Sequence, residues 1–276
     1  MNTSHLLLLA AIAILSAPLS ASAQSVVPGG NSDEPVEITA DKSLEWHRND
    51  KVFIARSNAR AKQGDVSIDS ETLTANYRDA NGSSMEIYKM NAAGGVIITS
   101  KESKAYGEDA IYEIDLGKAV MTGDNLRMTS KDQTVTAKDK FEYWVEDGRL
   151  EAFGRAKIVR PKLQGGTDTL EADKISAIMK EDEKGDRVLH SLEAIGNVVI
   201  TTPTEVVTGG YGIYKSSTNK ADLTGNVTIK RGPNILQGDK AEVDLTTNTS
   251  RMFGNNKTGQ RVRGVFYPGS EKTPEE

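Results

Sequence analysis

Outside its first 23 residues the chain has two histidines, His47 and His190, and it has no cysteine anywhere. A transition-metal site needs N, S or carboxylate ligands converging at short spacing. The two His lie far apart, with no H-x-x-x-H spacing, so each reads as a surface strand residue. Gly165-Gly166-Thr167-Asp168-Thr169-Leu170 has the look of a calcium-binding β-roll nonapeptide. It occurs once, and such rolls need stacked copies. Gly209-Gly210-Tyr211-Gly212 lacks the G-K-[ST] and the following helix of a phosphate loop, and its glycines fit a bulge or a sharp strand bend. Acidic residues are plentiful but fall on the polar beats of alternating segments, and no nucleophile stands near a base. The sequence predicts no catalytic residue, no metal and no cofactor: the protein is not expected to be an enzyme.

Two segments are locally basic: Arg48, Lys51, Arg56, Arg60 and Lys62, then Arg149, Arg155, Lys157, Arg160 and Lys162. Guanidinium and ammonium groups so clustered suit phosphate, but solvated strand faces and gatekeepers against misassembly have the same composition. Net charge is −5 with both signs interspersed, which argues against a nucleic-acid partner.

These residues must be positioned by a repeated element. Gly196-Asn197-Val198 returns as Gly225-Asn226-Val227 and as Gly254-Asn255, an interval of 29 residues each time. Gly94-Gly95-Val96, Gly123-Asp124-Asn125 and Gly154-Arg155-Ala156 are further copies, and Ser57-Asn58-Ala59 is an eroded first one. A second signal, a small residue followed by Asp, precedes several units: Ala40-Asp41, Ala172-Asp173 and Gly238-Asp239. A fixed period in this range marks a stack of units none of which buries its own face. Gly-Asn tolerates positive φ, as a tight turn into a strand requires.

Between anchors, polarity alternates with period two and no helical stripe appears, so the fold class is all-β, from antiparallel strands with one apolar face. The beats expected to point inward are Leu73, Ile98, Tyr112, Ile114, Leu116, Val198, Ile200, Val227, Ile229, Val243 and Leu245. The longest interval between anchors, 154 to 196, carries the charged run 180–186, expected to be an exposed hairpin loop. Leu6–Leu15 is too short to span a bilayer comfortably. With Ala21-Ser22-Ala23 after it, residues 1–23 read as a secretory signal. Residues 24–35 then form a flexible lead-in, 36–267 one large β domain and 268–276 a disordered tail. With no Cys to follow the cleavage site, a lipid anchor there is not expected.

The G-N-V-x-I anchor, the lead-ins Ile38-Thr39-Ala40-Asp41 and Gln237-Gly238-Asp239-Lys240-Ala241, and the closing Arg261-Val262-Arg263-Gly264-Val265-Phe266 resemble the OstA-like family, LptA type. The likeness covers about Pro35 to Phe266. It implies an open, V-shaped β-jelly roll in the periplasm whose hydrophobic groove holds the acyl chains of lipopolysaccharide, with the inward beats above as the lipid-binding residues. It also implies end-to-end homo-oligomers joining an LptC-like inner-membrane component to an LptD-like outer-membrane translocon. The rival reading is an exported β-helix enzyme acting on polysaccharide, or an adhesin. It would need a cluster of Asp, Arg or Lys on one face, and a 29-residue alternating period suits hairpin pairs better than three-strand coils.

Overall fold

The computed structural model describes residues 21–22, 35–79, 85–101, 103–162, 165–183, 186–247, 249–255, 259 and 261–268. The expected leader, lead-in and tail fall almost wholly outside the described residues. The chain groups into two compact units, residues 19–154 with 178–188, and residues 155–177 with 189–276.

The first unit is built from β1 (Glu37–Thr39), β2 (Ser43–His47), β3 (Val52–Gln63), β4 (Val66–Asp79), β5 (Met85–Thr99), β6 (Ser103–Glu113), β7 (Lys118–Thr122), β8 (Arg127–Ser130), β9 (Thr134–Thr136) and β10 (Lys140–Trp144). The division between units falls within β11 (Arg149–Pro161), β12 (Thr167–Glu181) and β13 (Asp186–Thr201). The second unit continues with β14 (Val206–Lys215), β15 (Lys220–Arg231), β16 (Asn234–Asp244), β17 (Thr249–Phe253) and β18 (Arg263–Val265). Pairing is antiparallel between chain neighbours, β3–β4–β5–β6 in one unit and β13–β14–β15–β16 in the other. The class is an all-β antiparallel jelly roll. Of the charged run, Lys180 to Glu183 are exposed where β12 gives way to β13; residues 184–185 are not described.

The Gly-Asn anchors are not turns that lead into strands. They are kinks in the middle of long strands. Gly196 and Asn197 have φ of 76° and 49°, Gly225 and Asn226 86° and 53°, and Ser57 and Asn58 70° and 46°. At each kink the ladder skips: Ile195 pairs with Tyr211 and Val198 with Gly209, so Gly196-Asn197 oppose the single residue Gly210. Ser57-Asn58 likewise oppose Glu71 alone. Two residues against one is a β-bulge, which bends the strand and sharpens its twist. The second sequence signal sits beside the first. The Asn58 amide donates to Asp41 at 2.7 Å, and Asn197 donates to Asp173 at 2.8 Å. Where no long strand carries the kink, the strand breaks at the same level, as between β1 and β2 or between β7 and β8.

Gly196 shows why the anchor is glycine. A Cβ there would lie 2.3 Å from Asp173 Oδ2, in a backbone region that L-residues avoid. Gly232 also has positive φ (52°) but nothing lies within 4 Å of its would-be Cβ. Gly232→Ala should therefore cost only the left-handed conformation, about 1 kcal/mol. Gly196→Ala should cost ~2–3 kcal/mol, because the Asp173 contact must also be displaced. Denaturant midpoints of the two variants check this; equal losses would show that the close approach is irrelevant.

Candidate functional site

Cross-strand register turns the apolar beats into rungs. In the first unit one rung runs Leu44–Ala55–Leu73–Ala92–Ala110–Met121–Phe141–Ala152, each residue opposite the next on the neighbouring strand. A second runs Phe53–Ala75–Met90–Tyr112–Ala119–Tyr143. On the other side of the kinks, Ala61, Ile68, Ile98 and Ala105 make a third. Leu73, Ile98 and Tyr112 are all buried. In the second unit Ile200–Val207–Ile229–Leu236 form one rung, Val198 and Val227 face Gly209 and Gly238 on the next, and Ala221 pairs with Val243. Val198, Ile200, Val227, Ile229 and Val243 are each at most 6% exposed. At several places a large residue stands between or beside Ala or Gly, as Leu73 between Ala55 and Ala92 or Val198 beside Gly209, which lets neighbouring rungs interdigitate.

Three of the expected inward residues are placed otherwise. Ile114, Asp115 and Leu116 form a 3-10 turn closed by Gly117, whose N–H donates to the Ile114 carbonyl at 2.9 Å. The chain must reverse there because Glu113 pairs with Lys118. The period-two pattern therefore ends at Glu113; Leu116 is 62% exposed and Ile114 half-buried. Leu245 is half-buried just past the end of β16, its N–H held by the Asn219 carbonyl at 3.0 Å.

One interior group escaped the sequence reading. The Arg187 guanidinium donates to the Tyr143 hydroxyl, on the same face as Phe141, and also to the Val145 carbonyl at 3.5 Å. Burial pushes the Tyr112 and Tyr143 phenols up, so both stay neutral hydrogen-bonding groups. Arg187 was hidden by the charged run it follows, and only its place on β13 reveals it.

The two basic segments are mostly neutralised by the chain itself. Lys51 pairs with Asp79 at 2.6 Å, Arg56 with Glu45 at 2.9 Å and Arg60 with Asp69 at 3.5 Å. Arg149 pairs with Glu151 at 3.0 Å, Lys157 with Glu171 at 2.9 Å and Lys162 with Asp168 at 2.9 Å. Arg48 stacks on Trp46. These are cross-strand and along-strand partners of sheet faces, so a polyanion would have to displace carboxylates to reach most of them. Among the described residues no His, Cys, Asp or Glu cluster could hold a metal ion.

A family model described as "LptA/(LptD N-terminal domain) LPS transport protein" matches residues 37–148 and 162–249, well over half of the chain. The protein belongs to that family. No curated protein matches the chain. Among solved structures it is similar to LptH, "the LptA homologous periplasmic component of the conserved lipopolysaccharide transport device from Pseudomonas aeruginosa". That likeness has 12% identity over 86% of this chain and 97% of the other, with a TM-score of 0.21. No described helix is long and apolar enough to cross a membrane.

At the first edge, Glu45 on β2 accepts from His47 Nε2 at 2.9 Å, Arg56 Nε at 2.9 Å and Ser43 Oγ at 3.0 Å. His47 foremost, then Arg56 and Ser43, hold its carboxyl down at about 2. A depressed carboxylate stabilises the fold above its unfolded value, near 4.5, and loses that contribution as pH falls through about 2. NMR titration of the Glu45 carboxyl carbon should give a midpoint near 2, rising toward 4.5 in His47→Ala/Arg56→Gln. A midpoint near 4.5 in the unaltered protein would refute this account of the β2–β3 edge.

Proposed function

We propose that the protein is a periplasmic carrier that binds lipopolysaccharide through its acyl chains along the inner rungs and passes it from the inner toward the outer membrane. The observation that carries this is the set of inward aliphatic side chains Val198, Ile200, Val227, Ile229 and Val243 on successive strands, in a chain of an LPS transport family. Apolar lining of this kind lowers the free energy of an acyl chain by about 0.8 kcal/mol per buried CH₂. Photo-crosslinking in living cells tests it. A photoreactive residue in place of Ile229 should capture lipopolysaccharide, while one in place of the outward, exposed Lys230 should not. Equal capture at the two positions, or none at 229, would sink the reading. A charge at 229 is a poorer test, because Ile229 is only 6% exposed and an unpaired carboxylate there would damage the fold as well.

The same reading gives a role to the outermost strands. Leu44 and Trp46 lie on the inward face of β2, opposite Ala55 and Phe53, yet are 56% and 45% exposed because no described strand covers them. At the other end Phe253, Val262, Phe266 and Tyr267 are exposed. Unpaired edges with apolar rims invite strand addition. We expect end-to-end association of copies, and with an LptC-like component on the inner-membrane side and an LptD-like translocon on the outer. Light scattering should show mass rising with concentration, and deletion of residues 259–276 should leave a folded monomer. Mass independent of concentration would remove the bridge from the proposal and leave the carrier.

A further inference from the structure

The last strands meet β16 in two ladders: Phe253 of β17 lies opposite Lys240, and Arg263 of β18 opposite Gln237. Gly238 lies between those rungs, and a Cβ in its place would meet Met252 and the Phe253 carbonyl. On the other side of Gly238, β15 is kinked at Gly225-Asn226, and the register skips from Thr224 to Val227. A cleft of about 290 Å³ lies beside this kink. Val227 and Gly238 are apolar parts of its lining; Asn226, Thr228, Gln237, Arg261 and Arg263 supply the polar groups.

Among the described residues, two guanidinium groups line this cleft and no carboxylate does. Most cations of the basic segments are paired with acids of the same sheet. Arg263 instead has a neutral partner, Gln237 Oε1 at 3.3 Å, which fixes its head beside the cleft. Neither Arg261 nor Arg263 has a carboxylate partner among the described residues. Paired guanidinium forks with amide and hydroxyl donors form the donor set for a tetrahedral oxyanion, which accepts several charge-assisted bonds at once. The volume is at the lower limit for ligand pockets, about 300 Å³, which suits a single small anionic group.

We propose that this cleft is a phosphate-binding site, with Arg261 and Arg263 as the charged clamp and Asn226, Thr228 and Gln237 completing the polar shell. The phosphate can be carried on a sugar, as in a glycolipid headgroup, or be free. The site is defined by its own geometry and stands apart from the acyl-chain reading of the rungs.

The test uses the full mature chain, with inorganic phosphate and N-acetylglucosamine 1-phosphate as probes. NMR should show the Nε–H signals of Arg261 and Arg263 moving on titration with at least one probe, while that of Arg155, on an outward kink, stays still. Arg261→Gln/Arg263→Gln should weaken binding at least tenfold, as expected for losing charge-assisted bonds, with an unchanged melting temperature. Arg261→Lys/Arg263→Lys should fall between, keeping charge but losing the fork. Tighter binding of the sugar phosphate by roughly tenfold or more supports the headgroup source; equal binding supports free phosphate. The proposal is overturned if neither probe moves either arginine, or if the Gln double variant binds as well as the unaltered protein. Because Ile229 crosslinking reads the rungs and not this cleft, either result can fail while the other stands.

Discussion

A pair of consecutive left-handed residues, set against an acid or a glycine on the neighbouring strand, governs the geometry of both units. A strand of 16 residues such as β13 would be about 50 Å long if straight. The kink at Gly196-Asn197 turns it into two short arms, and the same happens at Ser57-Asn58 and Gly225-Asn226. Such residues are strained unless they are glycine or asparagine, and the Asn58–Asp41 and Asn197–Asp173 bonds offset part of that strain. Each kink also controls phase. It adds two residues, so Ala194 and Val198 both stay inward across it, while the opposing strand adds one, Gly210, between Gly209 and Tyr211. A single added residue reverses the alternation. The acid or glycine at that position is therefore the point at which β4, β12 and β16 change parity, and it keeps Leu73, Ile175 and Val243 buried.

Once phase is fixed, packing follows from side-chain size. Leu73 has Ala55 and Ala92 as its cross-strand neighbours, and Phe141 lies between Met121 and Ala152. Side chains that alternate large and small fill the interior without demanding aromatics, which explains how a chain with 5% aromatic content builds a core at all. The outward faces are held by a different set, in which ion pairs such as Arg60–Asp69 and Lys157–Glu171 cross from strand to strand. Individually these are worth little in water, but they consume the cations that composition alone offers to an anionic ligand. Among the described residues Arg261 and Arg263 have no carboxylate partner of this kind.

The repeat made the all-β class, the antiparallel order and most of the inward residues legible, because alternation within one arm is a purely local property. Eight of the eleven inward residues needed nothing more. Leu116 and Ile114 failed because a 3-10 turn of apolar residues continues the alternation past the strand end, and only Gly117 marks the reversal. The role of Gly-Asn is not legible in the sequence for a related reason. The same dipeptide serves a hairpin turn and a mid-strand bulge, and the choice depends on which strand lies opposite. Ser57-Asn58 looked eroded in sequence, yet its geometry matches the intact copies, since backbone pairing on both sides imposes the bend. The Arg261 and Arg263 cleft has no local signal, because its lining comes from β15, β16 and the last strand, which only the register brings side by side.

The regularity that makes the rungs a good lining also limits what they can do. On the carrier reading, rungs built from the same few aliphatics would hold an acyl chain about equally well at each step, and a surface that binds equally everywhere shifts no equilibrium. A preferred resting place would then need a break in the repeat. Within the first unit the Tyr143–Arg187 pair is a polar interruption of an otherwise apolar rung. Within the second, Arg261 and Arg263 stand beside Gly238. On the two proposals above, a ligand with both apolar chains and an anionic head would meet uniform rungs with one part and a singular site with the other. Its head, more than its tails, would then set where it comes to rest.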